Sequence, residues 1–334
     1  MTVVLGIEST AHTFGVGIAT ERGILVNVND TYTPPQGVGI HPRVAADHHV
    51  EVGPRLIREA LSRAGLSIND VDAIAFSMGP GLGPALRVGA TLARALAIRF
   101  RKPLVPVHHG IAHVEVARWA VGARDPLVLL VSGGHTMVIA HSGDSYGVFG
   151  ETIDMAVGNA IDYFARSVGL PNPGVPHVEE CASRGSRYIP LPYIVKGQDV
   201  SFSGLVTEAL RLVRKGEPLP DVCLSLIETA YSMLGEVVER GLALTGKREL
   251  VVAGGVARSR RLREVMGYIA REFNATLGIV PQEYAGDNGG MIALTGLLAY
   301  LSGVVVDPTE AMTKQRWRLD EVPTPWFGKE PWFR

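Results

Sequence analysis

A short motif occurs twice in this chain of 334 residues, and the repeat constrains the fold more than any other feature of the sequence. The residues that recur at one constant offset are Ser9, His12 and Thr13, and then Ser132, His135 and Thr136. Each set lies between two short apolar runs, which predicts a strand–turn–strand hairpin with a polar tip. Because a repeat of this kind is typical of a duplicated architecture, we predict two similar lobes. Chance similarity between two short turns is the alternative.

Each hairpin is followed by apolar residues at helical spacing and by a further strand, a pattern typical of α/β proteins. The predicted helices span 50–64, 86–99, 159–168, 222–244 and about 259–273, and the predicted strands include 71–77 and 250–253. We place the first lobe at residues 1–125, with the segment 300–334 packing back on it, and the second at 126–299. Residues 184–203 have mixed turn character and predict a long surface connection. The tail from Pro323 predicts an extended segment packed on the body.

The composition is that of a globular protein, with 46% hydrophobic and 19% charged residues. A formal net charge of -1 provides no basic field for nucleic acid, so an RNA partner would require local patches or other subunits. The candidate basic residues are Arg258, Arg260, Arg261, Arg263, Lys314, Arg316 and Arg318. Solvated helix faces are the simpler interpretation of such runs.

The sequence predicts a cytoplasmic protein without a membrane partner. Cys181 and Cys223 form no Cys-x-x-Cys pair, so they indicate neither a disulfide framework nor a cysteine zinc site. The N-terminus lacks the basic region of a signal peptide. Residues 288–306 carry no charge, but their glycines and hydroxyls favour a buried helix over a membrane span.

Three closely spaced histidines give the sharpest chemical signal. His109 and His113 are four residues apart, so on a helix both imidazoles share one face and could bind Fe, Zn or Ni together with a third ligand. His108 would diverge from His113 and is the weaker candidate. Ordinary polar packing is the alternative. A zinc protease requires Glu after the first histidine of this motif, and Gly110 stands there, which argues against peptidase chemistry.

Small residues at strand ends and acidic residues in apolar surroundings give further candidates. The turns 9–10, 79–83, 132–134 and 254–255 would let backbone N–H groups approach phosphate oxygens. The acidic candidates are Glu8, Asp162, Glu179 and Asp287. Asp287 precedes an apolar helix, so it could cap that helix or bind a metal.

Seven segments, in order, resemble motifs of the tRNA N6-adenosine threonylcarbamoyltransferase family, known as TsaD in bacteria and as the catalytic subunit of the KEOPS complex in archaea. They are LGIESTAHT at 5–13, FSMGPGLGP at 76–84, HGIAH at 109–113, VSGGHT at 131–136, DVSFSGL at 199–205, VAGGV at 252–256 and DNGGMIA at 287–293. The resemblance covers almost the whole chain and implies a duplicated actin/Hsp70-like (ASKHA) two-lobe fold.

The resemblance also implies an activity and a site. The threonylcarbamoyl group would pass from L-threonylcarbamoyladenylate to N6 of the adenosine beside the anticodon of tRNAs reading ANN codons, with release of AMP. One divalent metal per chain, Fe²⁺ or alternatively Zn²⁺, would be bound by His109, His113 and Asp287. The adenine nucleotide would be bound by Leu130, Val131, Ser132, Gly133, Gly134, Asp162, Glu179 and Ser259. The implied partners are tRNA and KEOPS-type subunits, namely a separate small atypical kinase and a dimerising subunit.

Several positions depart from the family pattern. His108 stands where Asn is usual, and Leu130 replaces a tyrosine that archaeal relatives use as a metal ligand. Val175 replaces a glycine, and Val44 replaces a glutamate. Ser259 and Arg260 replace a pair of asparagines, one of which contacts the nucleotide in the family. These changes bear on metal geometry and nucleotide affinity more than on the fold. They leave two alternatives open: a nucleotide-binding scaffold subunit, and a small-molecule kinase on the same fold.

Overall fold

The fold is described from a computed structural model, which covers residues 1–35 and 39–333. Two five-stranded mixed sheets form its framework. The first sheet contains β1 (Val3–Glu8), β2 (Thr13–Thr20), β3 (Gly23–Thr31), β4 (Ala73–Gly79) and β5 (Leu104–His108). The second sheet contains β6 (Leu127–Val131), β7 (Thr136–Ser142), β8 (Ser145–Glu151), β11 (Glu249–Ala253) and β12 (Thr276–Ile279). A small ribbon pairs β9 (Val195–Lys196) with β10 (Asp199–Val200).

Ten α-helices surround the sheets in the described part of the chain. They are α1 (Pro42–Ala64), α2 (Gly83–Phe100), α3 (His109–Val121), α4 (Val157–Ser167), α5 (Gly174–Ala182), α6 (Ser203–Arg214), α7 (Leu219–Thr245), α8 (Arg260–Glu272), α9 (Gln282–Ala285) and α10 (Gly289–Leu301). No helix within residues 1–35 and 39–333 is long and apolar enough to cross a membrane.

The two sheets have the same strand order, which confirms the predicted duplication. The first runs β3-β2-β1-β4-β5, and the second, taken from its other edge, runs β8-β7-β6-β11-β12. In each sheet an antiparallel hairpin opens the lobe, and two parallel strands follow it. Both predicted hairpins are present, with Glu8 paired to Gly15 and Val131 paired to Thr136.

Helix α10 lies on the first sheet at very short range because glycines separate the two backbones. A Cβ atom on Gly6 would stand 2.2 Å from the backbone nitrogen of Ala293, and one on Gly296 would stand 2.2 Å from Cβ of Ala75. The first turn of α10 therefore lies beside the hairpin of the first lobe. The predicted domain limits place this helix in the second lobe, although it packs on the first sheet, and those limits stay a prediction.

The tail follows the surface of both sheets. The amide of Lys314 donates to the carbonyl of Met78 at 2.8 Å, and that of Thr324 donates to Asp144 at 2.9 Å. Trp326 is buried, so the predicted packing of the tail from Pro323 is confirmed. The last residue of the chain, 334, lies outside the described part.

Two sequence predictions about local structure require correction. Helix α1 begins at Pro42, eight residues before the prediction, because Ala45 and Ala46 supply its buried face without large apolar side chains. The segment predicted as a surface connection also enters the core, where Val200 and Phe202 are buried.

Candidate metal and nucleotide site

The site begins where β5 ends and α3 starts, and His108 forms the junction. Its Nδ1 accepts a hydrogen bond from the amide of Ile111 at 3.3 Å, which caps the helix. Its Nε2 then donates to the carbonyl of Trp317 at 3.1 Å. Burial lowers the pKa of His108 to about 4, which fits a neutral ring. Both nitrogens are occupied, so His108 is a capping residue, in keeping with its rank as the weaker ligand candidate.

Two residues of the first hairpin, Glu8 and Thr10, contact His109. Its Nδ1 lies 3.1 Å from Oε2 of Glu8 and 3.2 Å from Oγ1 of Thr10, while Oε1 of Glu8 accepts the Thr10 amide at 2.5 Å. Burial would lower the pKa of His109, but Glu8 and Asp287 outweigh it and raise the pKa to about 9. With Nδ1 bound to Glu8, the Nε2 atom faces the carboxylate of Asp287 at 3.6 Å.

Asp287 faces the two histidines and does not cap α10. The capping residue is Asn288, whose Oδ1 accepts the Met291 amide at 2.9 Å. Oδ1 of Asp287 lies 3.2 Å from Nε2 of His113. Burial would raise the pKa of Asp287, but His109 and His113 outweigh it and lower the pKa. Burial lowers the pKa of His113 itself, with Asp287 opposing the shift.

The three predicted ligands therefore come together. One nitrogen or oxygen atom from each of His109, His113 and Asp287 lies within 4.8 Å of the others. Two imidazoles and one carboxylate form a donor set that Fe²⁺ and catalytic Zn²⁺ accept, with positions left for water or substrate. A buried carboxylate on the far nitrogen of a ligand histidine is the usual support of such a site, and Glu8 supplies it. The residues present fit a divalent metal ion.

His135 lies beside these three residues, although no pattern in the sequence assigned it to the site. Its ring centre is 5.7 Å from that of His109, and the two planes are tilted by 31°. Burial, reinforced by the two neighbouring histidines, lowers the pKa of His135 to about 3, so the ring is neutral. His135 occurs in the repeated hairpin motif, but the repeat gives no distance to another element.

The predicted nucleotide turn connects β6 with β7. Leu130 and Val131 are buried in the strand, whereas Gly133 and Gly134 are exposed, and added Cβ atoms there would meet no other group within 4 Å. Oγ of Ser132 accepts the amides of Gly134 at 3.2 Å and His135 at 3.0 Å. The turn is thus a fixed loop with an open outer face.

Two other glycines bring neighbouring elements against this turn. A Cβ atom on Gly254 would stand 2.3 Å from the carbonyl oxygen of Val131, and one on Gly158 would stand 2.5 Å from that of Ser132. The start of α4 and the loop after β11 therefore converge on the turn. By contrast, the glycine turn at 79–83 is covered by the tail, since Gly81 donates to the carbonyl of Gln315 at 3.2 Å.

The remaining nucleotide candidates contact backbone amides at the starts of α8 and α5. Ser259 caps α8, accepting the Leu262 amide at 3.0 Å, and its hydroxyl donates to Glu179. That carboxylate also accepts the amide of Arg261 at 3.2 Å. Asp162 accepts the Gly174 amide at 2.6 Å at the start of α5, and burial raises its pKa.

One further histidine links the two groups of candidates. His12, at the tip of the first hairpin, lies within electrostatic range of the carboxylates of both Asp162 and Asp287. Its Nδ1 is buried without a hydrogen-bond partner in the described structure.

The chain is similar to known proteins along nearly its whole length. Residues 23–294 match the profile of the family described as TsaD, tRNA N6-adenosine threonylcarbamoyltransferase. Proteins of that name from three archaea align with nearly the whole chain. The one from Caldivirga maquilingensis is 64% identical over 97% of this chain and 98% of its own length. Those from Thermofilum pendens and Hyperthermus butylicus are 60% and 54% identical, over 98% and 97% of this chain and 97% and 91% of their own lengths.

Solved structures with low sequence identity confirm the predicted ASKHA-type fold. HypF from T. kodakarensis superposes with a TM-score of 0.62 at 17% identity, covering 91% of this chain and 48% of that one. Component A of the Acidaminococcus fermentans (R)-2-hydroxyglutaryl-CoA dehydratase superposes with a TM-score of 0.56 at 14% identity, over 89% and 98% of the two chains. At such identities the likeness concerns the fold alone.

Proposed function

Because the chain belongs to the tRNA N6-adenosine threonylcarbamoyltransferase family and is a transferase, we propose that it transfers a threonylcarbamoyl group to tRNA. The donor is L-threonylcarbamoyladenylate, and the acceptor is N6 of the adenosine next to the anticodon in tRNAs that read ANN codons. AMP is released. The observation that carries the proposal is the convergence of His109, His113 and Asp287 in a chain aligned end to end with relatives of that name.

We assign one divalent ion per chain to His109, His113 and Asp287. Fe²⁺ suits two imidazoles and a carboxylate with open positions, and Zn²⁺ is the alternative. When bound, the ion supplies a Lewis acid for an oxygen of the transferred group. Glu8 has a separate role, because it holds Nδ1 of His109 and so directs Nε2 towards the other two ligands.

The adenylate occupies the second lobe in this proposal. The 132–134 turn borders the phosphate of the departing AMP in this proposal, and no Cβ atom of Gly133 or Gly134 obstructs the approach. The amides of Gly134 and His135 would exchange the hydroxyl of Ser132 for a phosphate oxygen when the nucleotide binds. Leu130 and Val131 form the floor behind the turn. The carboxylates of Asp162 and Glu179 suit hydroxyls of the nucleotide. Ser259 contributes through Glu179, since its hydroxyl donates to that carboxylate.

The proposed macromolecular partners are tRNA and KEOPS-type subunits, a separate small atypical kinase and a dimerising protein. Several basic candidates are already paired in this chain: Arg260 and Arg261 with Glu264, and Arg318 with Asp320. This pairing supports the expectation that companion subunits supply much of the attraction for RNA. The cytoplasm is the compartment in which this reaction would meet tRNA.

The test is direct transfer to tRNA. The purified protein is incubated with L-threonylcarbamoyladenylate and unmodified tRNA, with and without companion subunits, and the digested tRNA is analysed by mass spectrometry. We expect modified adenosine with the native chain, and none with His109→Ala or Asp287→Ala. The matched control is His108→Asn, which keeps a capping acceptor beside the site and should remain active. No product under any condition, with nucleotide still bound, would favour the scaffold alternative.

A further inference from the structure

The three ligands of the proposed metal site come from two neighbouring segments of the chain. His109 and His113 are on α3, and Asp287 precedes α10. The two helices pack against each other, and α10 packs on the first sheet. A three-ligand site of this kind leaves at least one position open. A further imidazole beside these residues comes from the other lobe, at the tip of the β6–β7 hairpin.

That group is the imidazole of His135. Its ring centre lies 5.7 Å from the His109 ring centre, while the His109 and His113 ring centres are 4.7 Å apart. With metal–nitrogen bonds of about 2.1 Å, two imidazoles on one ion at bond angles of about 90–110° have ring centres about 4.5–5 Å apart. The His109–His113 separation lies in this range, and the His109–His135 separation is less than about 1 Å beyond its upper end. His135 therefore lies close to the distance at which it would share a five- or six-coordinate ion with His109, and such an ion keeps a position for the transferred group.

The His135 side chain is free to complete such a bond. Its only hydrogen-bond contact in the described residues is a 3.5 Å approach of Nδ1 to Oγ of Ser132, which is long for a hydrogen bond. The backbone of His135, however, is fixed, because its amide donates to the same hydroxyl at 3.0 Å and its carbonyl accepts the Ser132 amide at 2.8 Å. A bond to the ion would therefore require movement of the ring and not of the backbone.

We propose that His135 is a fourth protein ligand of the ion held by His109, His113 and Asp287. The inference rests on the proposed metal site and adds a residue to it. Because His135 directly follows Ser132, Gly133 and Gly134, the ion would join the proposed nucleotide turn of one lobe to the histidine helix. Metal binding and adenylate binding would then strengthen each other by the same factor.

Cobalt(II) added to the metal-free protein provides the test, since its absorption and its X-ray absorption fine structure report the ligands. We expect three imidazoles around the ion in the native chain and two in His135→Ala. The affinity of His135→Ala for Co²⁺ should be lower by about tenfold or more. His135→Cys should bind Co²⁺ and show a sulfur-to-metal charge-transfer band. The matched control is His141→Ala, whose ring stacks on Phe327 at 3.5 Å, and it should behave as the native chain.

A second measurement tests the coupling between the sites. The affinity for a non-reactive adenine nucleotide, measured by calorimetry, should rise on addition of Co²⁺ in the native chain and should not change in His135→Ala. The inference is overturned if His135→Ala retains native Co²⁺ affinity and coordination, and His135→Cys shows no sulfur band, while His113→Ala loses the ion. If the native chain itself binds no Co²⁺, both the metal site and the inference are wrong.

Discussion

The carboxylate of Glu8 and the Nδ1 atom of His109 lie 3.1 Å apart, and both side chains are buried. Glu8 ends the first strand of the chain, while His109 begins a helix about a hundred residues later. The orientation of the His109 ring, a proposed metal ligand, therefore depends on the first hairpin. The contact also fixes which nitrogen of His109 remains available, because Nδ1 donates to Glu8 and Nε2 faces Asp287.

Replacing Glu8 by Gln should weaken the metal site without removing a ligand. A neutral amide accepts a weaker hydrogen bond from Nδ1 of His109 than a carboxylate does. The N–H group of the amide can also donate to Nδ1, which favours the tautomer that carries its proton on Nε2. We expect the affinity for a divalent ion to fall by about 10–100-fold, measured by competition with a chromophoric chelator. Glu59→Gln, on the partly exposed face of α1, is the control and should bind as the native chain. Native affinity in Glu8→Gln would show that this contact does not support the site.

Metal affinity should rise with pH. The pKa of His109 is lowered by burial but raised more strongly by Glu8 and Asp287, to about 9, so the metal-free protein carries a proton there at neutral pH. An incoming ion must displace that proton, and affinity should increase up to about pH 9 and then level off. The metal-free folded protein binds the His109 proton more tightly than the unfolded chain does, whose histidine has a pKa of about 6.5. This proton therefore stabilises the metal-free fold fully below about pH 6.5, and the stabilisation is lost as the pH rises through about 9.

Calorimetry in buffers of different ionisation enthalpy measures this proton release. About one proton per bound ion is expected at pH 7. Binding that is independent of both buffer and pH would mean that His109 is neutral in the metal-free protein.

Adding a methyl group at Gly254 should destabilise the second lobe. This residue has a φ of +88°, which disfavours any side chain, and its Cβ would stand 2.3 Å from the carbonyl oxygen of Val131. We expect Gly254→Ala to lower the free energy of unfolding by about 2–4 kcal/mol in chemical denaturation. The neighbouring Gly255→Ala is the control, because its Cβ would meet no atom within 4 Å. Equal effects of the two changes would contradict the close approach.

The buried arginine that anchors the tail should be essential for stability. Arg118 lies 2.7 Å from Glu115 and 2.9 Å from Glu330, all three about 1% exposed. Replacing it by Met leaves two buried carboxylates without their cation, so the free energy of unfolding should fall by about 3–5 kcal/mol. The control is Arg211→Met, which breaks an exposed pair with Glu208 and should leave the denaturation midpoint unchanged. A stable Arg118→Met variant would show that the tail docks without this network.

The fold could be predicted because its signals are local. Each of the two hairpins has apolar runs on either side of a polar tip. Most helices and strands predicted from apolar spacing begin and end close to the observed elements. Helix α1 was predicted eight residues short because its first turns bury Ala45 and Ala46, which leave little periodic signal. Apolar periodicity detects large side chains and misses a helix that packs through alanine.

The candidate site was predictable in part: one helix carries two ligands, and Asp287 was a candidate whose role as cap or ligand the sequence left open. His109 and His113 follow from their spacing, whereas the partnership of Glu8 with His109 spans the first lobe and leaves no local pattern. His135 was missed for the same reason. The contact of Ser259 with the nucleotide stays a prediction, and no pattern in the sequence indicated that its hydroxyl donates to Glu179, 80 positions away.

Metal removal followed by reconstitution tests the central claim most directly. The protein is treated with a chelator and assayed for threonylcarbamoyl transfer to tRNA, and Fe²⁺ or Zn²⁺ is then added in steps. The account predicts that transfer is lost and returns in proportion to the metal, reaching its maximum at one ion per chain, and that no metal restores Asp287→Ala. Full transfer by the metal-free protein would contradict the assignment of His109, His113 and Asp287.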